Sequence, residues 1–335
     1  MPSIRRLLYL LYYLKESDFT QLKRFLRYSS VMTDRSKFDI AKDAVVSAYR
    51  YNMSFKDYFC FRFFEPGKPD REEWAGTGFM YEYQLRMNPK VSRKLLENKI
   101  VFLNHYNDLI KRNFLAISGK FVDAKSLNIL LSNPSGRLAL KGSLGQVGQE
   151  VEIISCDKYT PESLLDYMRK KKYDLVEEYI IQHPEMNELS PSGLNTVRVI
   201  TQLHNNEVII LAARLRISVN SPVDNMAAGN LAAPIDLETG VINGPGVFSD
   251  ITKDQVSFHP ITGKSIEGFQ IPHWGEVKKL ADTAARNAAG NKSIGWDIAI
   301  KIDGPELIEG NHNWCKLLWQ LPVKKGLKAE LGKYI

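Results

Sequence analysis

From Ile4 to about Arg112 apolar residues recur three and four positions apart, in IRRLLYLLYYL, DFTQLKRFL and VSRKLLENKIVFLNHYNDLI, the spacing of a helix face. Pro66-Gly67-Lys68-Pro69 and Asn88-Pro89 punctuate that stretch. Beyond Phe114 the character changes to short β-rich runs: RLALKG, EVEIIS, TVRVITQL, EVIILAARLRIS, IGWDIAI and ELIEGN. Asn205-Asn206 and Asp303-Gly304 mark turns between them. Helical spacing returns over 161–172 and 275–289. The pattern predicts a helical amino-terminal region followed by an α+β body built on antiparallel hairpins, without an internal repeat.

Composition narrows this picture. A chain of 335 residues, 44% hydrophobic and 25% charged, is an ordinary globular one with room for about two domains. Cys60, Cys156 and Cys315 share no close spacing, which excludes a disulfide scaffold and a cysteine zinc knuckle and fits a reducing, cytoplasmic compartment. The apolar run from Leu7 to Leu14 is too short to span a bilayer. It follows Arg5 and Arg6 as a secretion signal would, but Lys15, Glu16 and Asp18 come next with no small-residue cleavage site, so it reads as mature protein.

The net charge of +7 is uneven: the first 71 residues hold 14 Lys/Arg against 8 Asp/Glu. The same segment is dense in aromatics, including Tyr9, Tyr12, Tyr13, Phe55, Tyr58, Phe59, Phe61, Phe63 and Phe64. A bundle with a basic solvated face has this composition. So does a segment that docks on an anionic lipid surface or an acidic polymer, peripherally at the inner face of a membrane or on a glycan assembly. No nucleic-acid motif is present, and nucleic acid is not an expected partner.

The sharpest chemistry lies in GWDIAIKIDGPELIEGN. A tight hairpin sets Asp297 opposite a return strand on which Glu309 and Asn311, two apart, share a face. Three side-chain oxygens then converge among apolar neighbours, a hard donor set suited to Mg²⁺ or Mn²⁺; a solvated hairpin with acidic edges is the alternative. Lys141 ends one strand and precedes GSLGQVGQ, in which Gly142, Ser143, Gly145 and Gly148 let backbone approach a phosphate chain, although an ordinary glycine hairpin has the same composition. It is neither a Walker loop nor a dinucleotide fingerprint. VEEYIIQHP, Val176 to Pro184, reads as an apolar strand that carries Glu177, Glu178, Tyr179 and Ile180 and then leaves into a loop, where backbone groups can meet a base edge and a carboxylate the ribose hydroxyls. Arg198, Arg214 and Arg216 sit on an apolar hairpin, where buried guanidinium groups are costly unless they meet anions.

In this order the pieces resemble the ATP-grasp superfamily, most nearly its sugar-transfer-associated family, through HPEMNELSPSGLNTVRVIT, LRISVNSPVDNMAAGNLAAPID, HPITGK, and IGWDIAI with EGN, over about 98–321. The resemblance implies two α+β subdomains gripping ATP behind a helical amino-terminal region: 1–95 helical, 96–190 carrying the glycine loop, 191–335 carrying the metal site. It implies that Lys141, with Lys99 as the earlier lysine, binds phosphates, that Gly142 to Gly148 form a lid, and that Glu177 to Ile180 surround the adenine. Asp297, Glu309 and Asn311 would hold two Mg²⁺ ions, and Arg198 with Arg214 or Arg216 would stabilise the transferring phosphoryl group. The implied activity is ATP-dependent carbon–nitrogen ligation through an acyl phosphate, joining an amine or amino acid to a uronic-acid or related component of a capsule or O-antigen polysaccharide. The alternatives are a kinase of the same fold acting on a sugar hydroxyl, and a non-catalytic ATP-binding scaffold of a polysaccharide assembly.

Overall fold

The structure is a computed structural model that describes residues 3–67, 70–117, 124–144 and 151–335. Among the described residues seven α-helices precede the first strand: α1 (Ser3–Lys15), α2 (Phe19–Thr33), α3 (Lys37–Tyr51), α4 (Phe55–Cys60), α5 (Thr77–Met87), α6 (Lys90–Glu97) and α7 (Lys99–His105). Local chemistry sets their starts. Asp18 and Ser36 accept from backbone N–H groups at the heads of α2 and α3, and Ser54 with Asp57 closes a capping box on α4. Tyr13, Phe25, Tyr58, Phe59, Phe61, Phe63, Phe64 and Trp74 pack into one aromatic core. Most of the aromatic density that made the segment ambiguous is therefore interior. No helix among the described residues is long and apolar enough to cross a membrane.

A four-stranded antiparallel sheet follows, made of β1 (Phe114–Ala116), β2 (Arg137–Lys141), β3 (Val151–Ser155) and β4 (Leu175–Glu178) in the order β1-β4-β2-β3. Leu138, Leu140, Ile154 and Val176 turn to one face and pack on Leu127 and Leu130 of α8 (Ala124–Leu131) and Leu164 and Met168 of α9 (Pro161–Lys171). Strand alternation leaves Ala139, Lys141 and Glu177 on the other face.

The larger sheet is also antiparallel. After the short α10 (Pro184–Leu189), the chain forms β5 (Thr196–His204), β6 (Glu207–Ile217) and β7 (Leu231–Ile235), then α11 (Trp274–Arg286), then β8 (Ser293–Lys301) and β9 (Gly304–Asn311), ordered β7-β6-β5-β8-β9. Val197, Val199, Leu215, Trp296, Ile298 and Leu307 line the face that packs on α11 and on Phe102 and Leu103 of α7. Each aliphatic side chain fully buried there contributes roughly 1.5–3 kcal/mol. The opposite face meets Met80, Tyr83 and Met87 of α5 through Ile200 and Ala212, with Trp314 and with Trp319 of α12 (Lys316–Gln320). A final short helix, α13 (Lys328–Gly332), adds Leu331.

The six expected β runs are all strands, α9 lies within 161–172 and α11 overlaps 275–289 but starts one residue earlier, while the expected strand over 176–184 is strand only to Glu178. Asn205 and Asn206 both take positive φ in the β5–β6 turn, a conformation Asn tolerates. The β8–β9 loop is Ile302-Asp303, one residue earlier than expected, because Gly304 already pairs with Lys301. Gly304 has φ +113°, and a side chain there would meet Glu276 at 2.9 Å. Strands β1 and β7 and helices α8, α10, α12 and α13 were not foreseen: α8, α10, α12 and α13 have no more than eight residues, β1 has three, and β7 contains Pro234, tolerated because β7 is an edge strand. Phe102, Leu103, Tyr106 and Ile110, which the sequence groups with the small subdomain, pack in the core of the large sheet.

Candidate functional site

Register on the large sheet aligns charge across four strands. Arg214 pairs with Arg198, Arg198 with Asp297, and Asp297 with Glu309, so these side chains form a row on one face. Asn311 is two pairs further along, opposite Gly295, and so on the same face. Its Nδ2 lies 3.3 Å from Glu309 Oε1 and 3.5 Å from Asp297 Oδ2, so the three side chains lie together. Gly295 is required by close approach, since a Cβ would come within 2.7 Å of Trp314 and 3.0 Å of Arg198.

Asp297 is buried and serves two arginines. Arg198 donates to both its oxygens, through Nε and, at 2.8 Å, through Nη2. Arg216 Nη1 donates to Oδ2 at 2.6 Å. Arg216 Nη2 lies 2.6 Å from Asp224, whose other oxygen accepts from the backbone N–H and hydroxyl of Thr196. Burial alone would raise the Asp297 carboxyl, but the two guanidinium groups hold it well below the usual carboxylate range. Glu309 is pushed up by its enclosure and by the Asp297 charge beside it. Asp224 is also raised, its burial outweighing the attraction of Arg216.

Arg214 behaves differently from its neighbours. It is buried on the same row, yet its guanidinium donates to the backbone carbonyls of Trp319, at 2.7 and 3.2 Å, and of Ala213 at 2.8 Å. No carboxylate among the described residues pairs with it, and burial pushes it down to about 10.

A second buried network joins the two sheets. Lys141 Nζ donates to Glu177 Oε1 at 3.0 Å, and Arg112 Nε donates to Glu177 Oε2 at 2.6 Å. Arg112 Nη1 reaches Glu306 Oε1 at 3.0 Å, and Lys301 lies 3.0 Å from the other Glu306 oxygen. Burial pushes the Glu177 carboxyl up, but Arg112 and Lys141 outweigh it and hold it down to about 2. Arg112 thus ties β4 of the small sheet to β9 of the large one. Sequence reasoning missed Arg112, Glu306 and Asp224. Strict alternation from Glu309 sets Glu306 on the wrong face, but a bulge leaves Ile308 unpaired, and Glu306 pairs with Ala299 on the Asp297 side.

Most of the other candidate residues also have protein partners. Lys99 opens α7, and its Nζ donates to the Gly142 carbonyl at 3.0 Å while its backbone N–H donates to Ser143 O at 2.9 Å. Ser143 donates through its N–H and hydroxyl to Asp174. Gly145 and Gly148 lie outside the described residues. Glu178 accepts from Asn113, backbone and side chain, at 3.0 and 2.7 Å. Tyr179 stacks under the Arg137 guanidinium, 3.9 Å from the ring centre, and Ile180 continues an irregular segment to His183, which donates its N–H to Ile300 O. Glu177 and Glu178 are thus both engaged by protein groups. His312 lies 3.1 Å from Glu97, and His259 is buried, accepting from backbone N–H groups of its own turn. Asn230 staples its loop by accepting from Val219 and donating to Val223 and Asn225 carbonyls.

Among the described residues no group of three or more His, Cys, Asp or Glu side chains is placed to hold a metal ion. The corner of Asp297, Glu309 and Asn311 instead offers two carboxylates beside a side-chain amide whose Nδ2 faces them; the carboxylates are hard donors that fit Mg²⁺ in chemistry and in the like-charge crowding a cation would relieve, and the amide would add its oxygen on turning over.

Solved structures show likeness at low identity. D-alanyl-alanine synthetase A from Vibrio cholerae O1 is 12% identical with a TM-score of 0.40, the match covering 70% of this chain and 66% of that one. An L-amino acid ligase from Bacillus licheniformis is 12% identical at 0.36, covering 66% and 41%. A RimK domain protein ATP-grasp from Sphaerobacter thermophilus is 11% identical at 0.42, covering 73% and 69%. The chain therefore spans just under two thirds of the first of these and about two fifths of the second, and its substrates do not follow from them. No curated protein matches it. The model of the sugar-transfer associated ATP-grasp family matches residues 79–334, the span that carries both sheets and both charge networks, and the chain belongs to that family.

Proposed function

We propose that the protein is an ATP-dependent carboxylate–amine ligase that works through an acyl phosphate. The observation that carries this reading is the pair of linked charge networks: a lysine on the small sheet joined through Glu177, Arg112 and Glu306 to the strand that bears Glu309 and Asn311. Cationic groups on one side and hard oxygen donors on the other suit a triphosphate held between two sheets.

In this reading Lys141 and Lys99 meet the phosphates near the Gly142 turn, with Lys141 shared between Glu177 and the nucleotide. Asp297, Glu309 and Asn311 would hold Mg²⁺, which when bound neutralises phosphate oxygens and charge developing on the transferred group. A substrate carboxylate oxygen attacks the γ-phosphorus, the bond to ADP breaks, and an acyl phosphate forms. Arg198 and Arg216, held in place by Asp297 and Asp224, orient their charge along the sheet face. Arg214, buried and donating to the Trp319 and Ala213 carbonyls without a carboxylate partner among the described residues, would add positive charge to the row from behind rather than by contact with the substrate. The amine then attacks the acyl carbon, phosphate leaves, and the amine gives up a proton. An acyl phosphate hydrolyses readily, so exclusion of water by a lid over the site fits this order of events. The family's association with sugar transfer suggests a uronic acid or an amino-bearing glycan component as one substrate.

The test is an ADP-release screen across amino acids and uronic-acid sugars, with hydroxylamine present in parallel. ADP formation that needs both a carboxylate and an amine, and hydroxamate formation when hydroxylamine replaces the amine, is the expected result. A phosphorylated sugar hydroxyl with no hydroxamate would make the protein a kinase, and Mg·ATP binding by calorimetry without ADP release across the whole screen would make it an ATP-binding scaffold.

A further inference from the structure

Helix α1 is apolar on the side that faces water. Ile4, Leu7, Leu8 and Leu11 are 72%, 51%, 62% and 55% exposed, and Tyr12 and Leu14 flank them. Their spacing of three and four residues makes one continuous stripe. The opposite side of the same helix is also apolar: Tyr13 is buried in the bundle core and Tyr9 and Leu10 pack against it. A helix that satisfies the core with one side has no folding reason to carry a second apolar stripe. Helix α3 repeats the feature, exposing Phe38, Val45, Val46 and Tyr49, and Arg6 of α1 donates to the carbonyls of Tyr49 and Arg50, tying the two helices together.

Charge says what covers this face. Helix α1 carries no acidic residue; Arg5 pairs with Glu82 at 3.4 Å and Arg6 with the α3 carbonyls, while exposed Lys15, four residues beyond Leu11, stands on the side of the stripe, and residues 3–51 hold ten Lys/Arg against five Asp/Glu. Two copies pressed together would oppose like charges, whereas anionic headgroups would neutralise them. At 13 residues α1 is about 20 Å long, too short to span a bilayer but able to lie along one. It also precedes the family match at residues 79–334, so the face belongs to an addition and not to the nucleotide-gripping body.

We propose that α1, supported by α3, lies in the headgroup plane of an anionic phospholipid bilayer, inserting Ile4, Leu7, Leu8 and Leu11 and pairing Lys15 with lipid phosphates. This contact is independent of the ligase reading and survives its failure.

The full chain would be floated with vesicles of phosphatidylcholine alone and of phosphatidylcholine mixed with phosphatidylglycerol, at low and high salt. Binding is expected only with phosphatidylglycerol present, weakened by salt, lowered at least tenfold by Leu7→Glu/Leu11→Glu and about fivefold by Lys15→Gln. Circular dichroism reports whether each variant keeps its helices; should the double variant lose them, Lys15→Gln decides. Failure of the wild-type chain to float with either vesicle overturns the proposal, as does binding that neither variant weakens. A wild-type dimer in ultracentrifugation that Leu7→Glu/Leu11→Glu dissolves, without flotation, would assign the face to a second copy instead.

Discussion

The amino-terminal bundle and the large sheet depart from the usual distribution of polarity in opposite directions. The bundle leaves Leu7, Leu8, Leu11 and Phe38 in water, while the large sheet, its loops and the adjoining strand β4 bury Arg112, Glu177, Arg198, Arg214, Asp224, Asp297 and Glu306. Both departures mark places where folding alone does not explain the residue. They differ sharply in cost. An exposed aliphatic side chain forfeits burial that it never had, whereas a buried charge must be compensated by neighbours at hydrogen-bond distance. The sheet face is therefore interdependent, and the bundle face is not.

Asp297→Asn tests that interdependence most severely. It leaves Arg198 and Arg216 without their shared carboxylate charge, so a loss of about 3–5 kcal/mol in urea unfolding is expected, together with at least a hundredfold fall in ADP formation. An unchanged unfolding midpoint would show that the row does not rely on Asp297 for compensation. Next in size is the pH response of Glu177. Its folded value, held down to about 2, lies below its ordinary 4.5. Its stabilising effect is therefore complete above about pH 5 and is lost as pH falls from about 4.5 toward 2. Glu177→Gln should flatten that part of the stability–pH curve and lower stability at pH 7 by roughly 3 kcal/mol; a slope identical to wild type would place the acid sensitivity elsewhere. Smallest of all is Leu11→Gln, expected to shift unfolding stability by no more than about 0.5 kcal/mol. A larger loss would mean that the stripe is part of the fold's own packing.

How much of the site was legible follows from how local its geometry is. Asp297, Glu309 and Asn311 sit on one hairpin, and strand alternation is enough to bring them together. Lys141 and Gly142 are likewise at one strand end. Glu306 was lost to a single bulged residue, because one unpaired position reverses the face of everything beyond it. Arg112 lies in an irregular segment and acquires meaning only from two strands 65 and 194 residues away along the chain. Asp224 sits in a loop that only the folded chain brings to Arg216 and Thr196.

Hydrophobic period, turn residues and the late acidic hairpin are properties of short stretches, and those the sequence determined by itself: a helical head, an α+β body, and oxygen donors on one β-ribbon. Which charges neutralise which was decided by tertiary structure. Arg198, Arg214 and Arg216 look equivalent along the chain, yet two meet Asp297 and the third turns to the carbonyl of Trp319, because α12 packs over that end of the row. Pairing energy between buried charges depends on separations of a few ångströms, and such separations between distant segments exist only once the sheets have closed on each other.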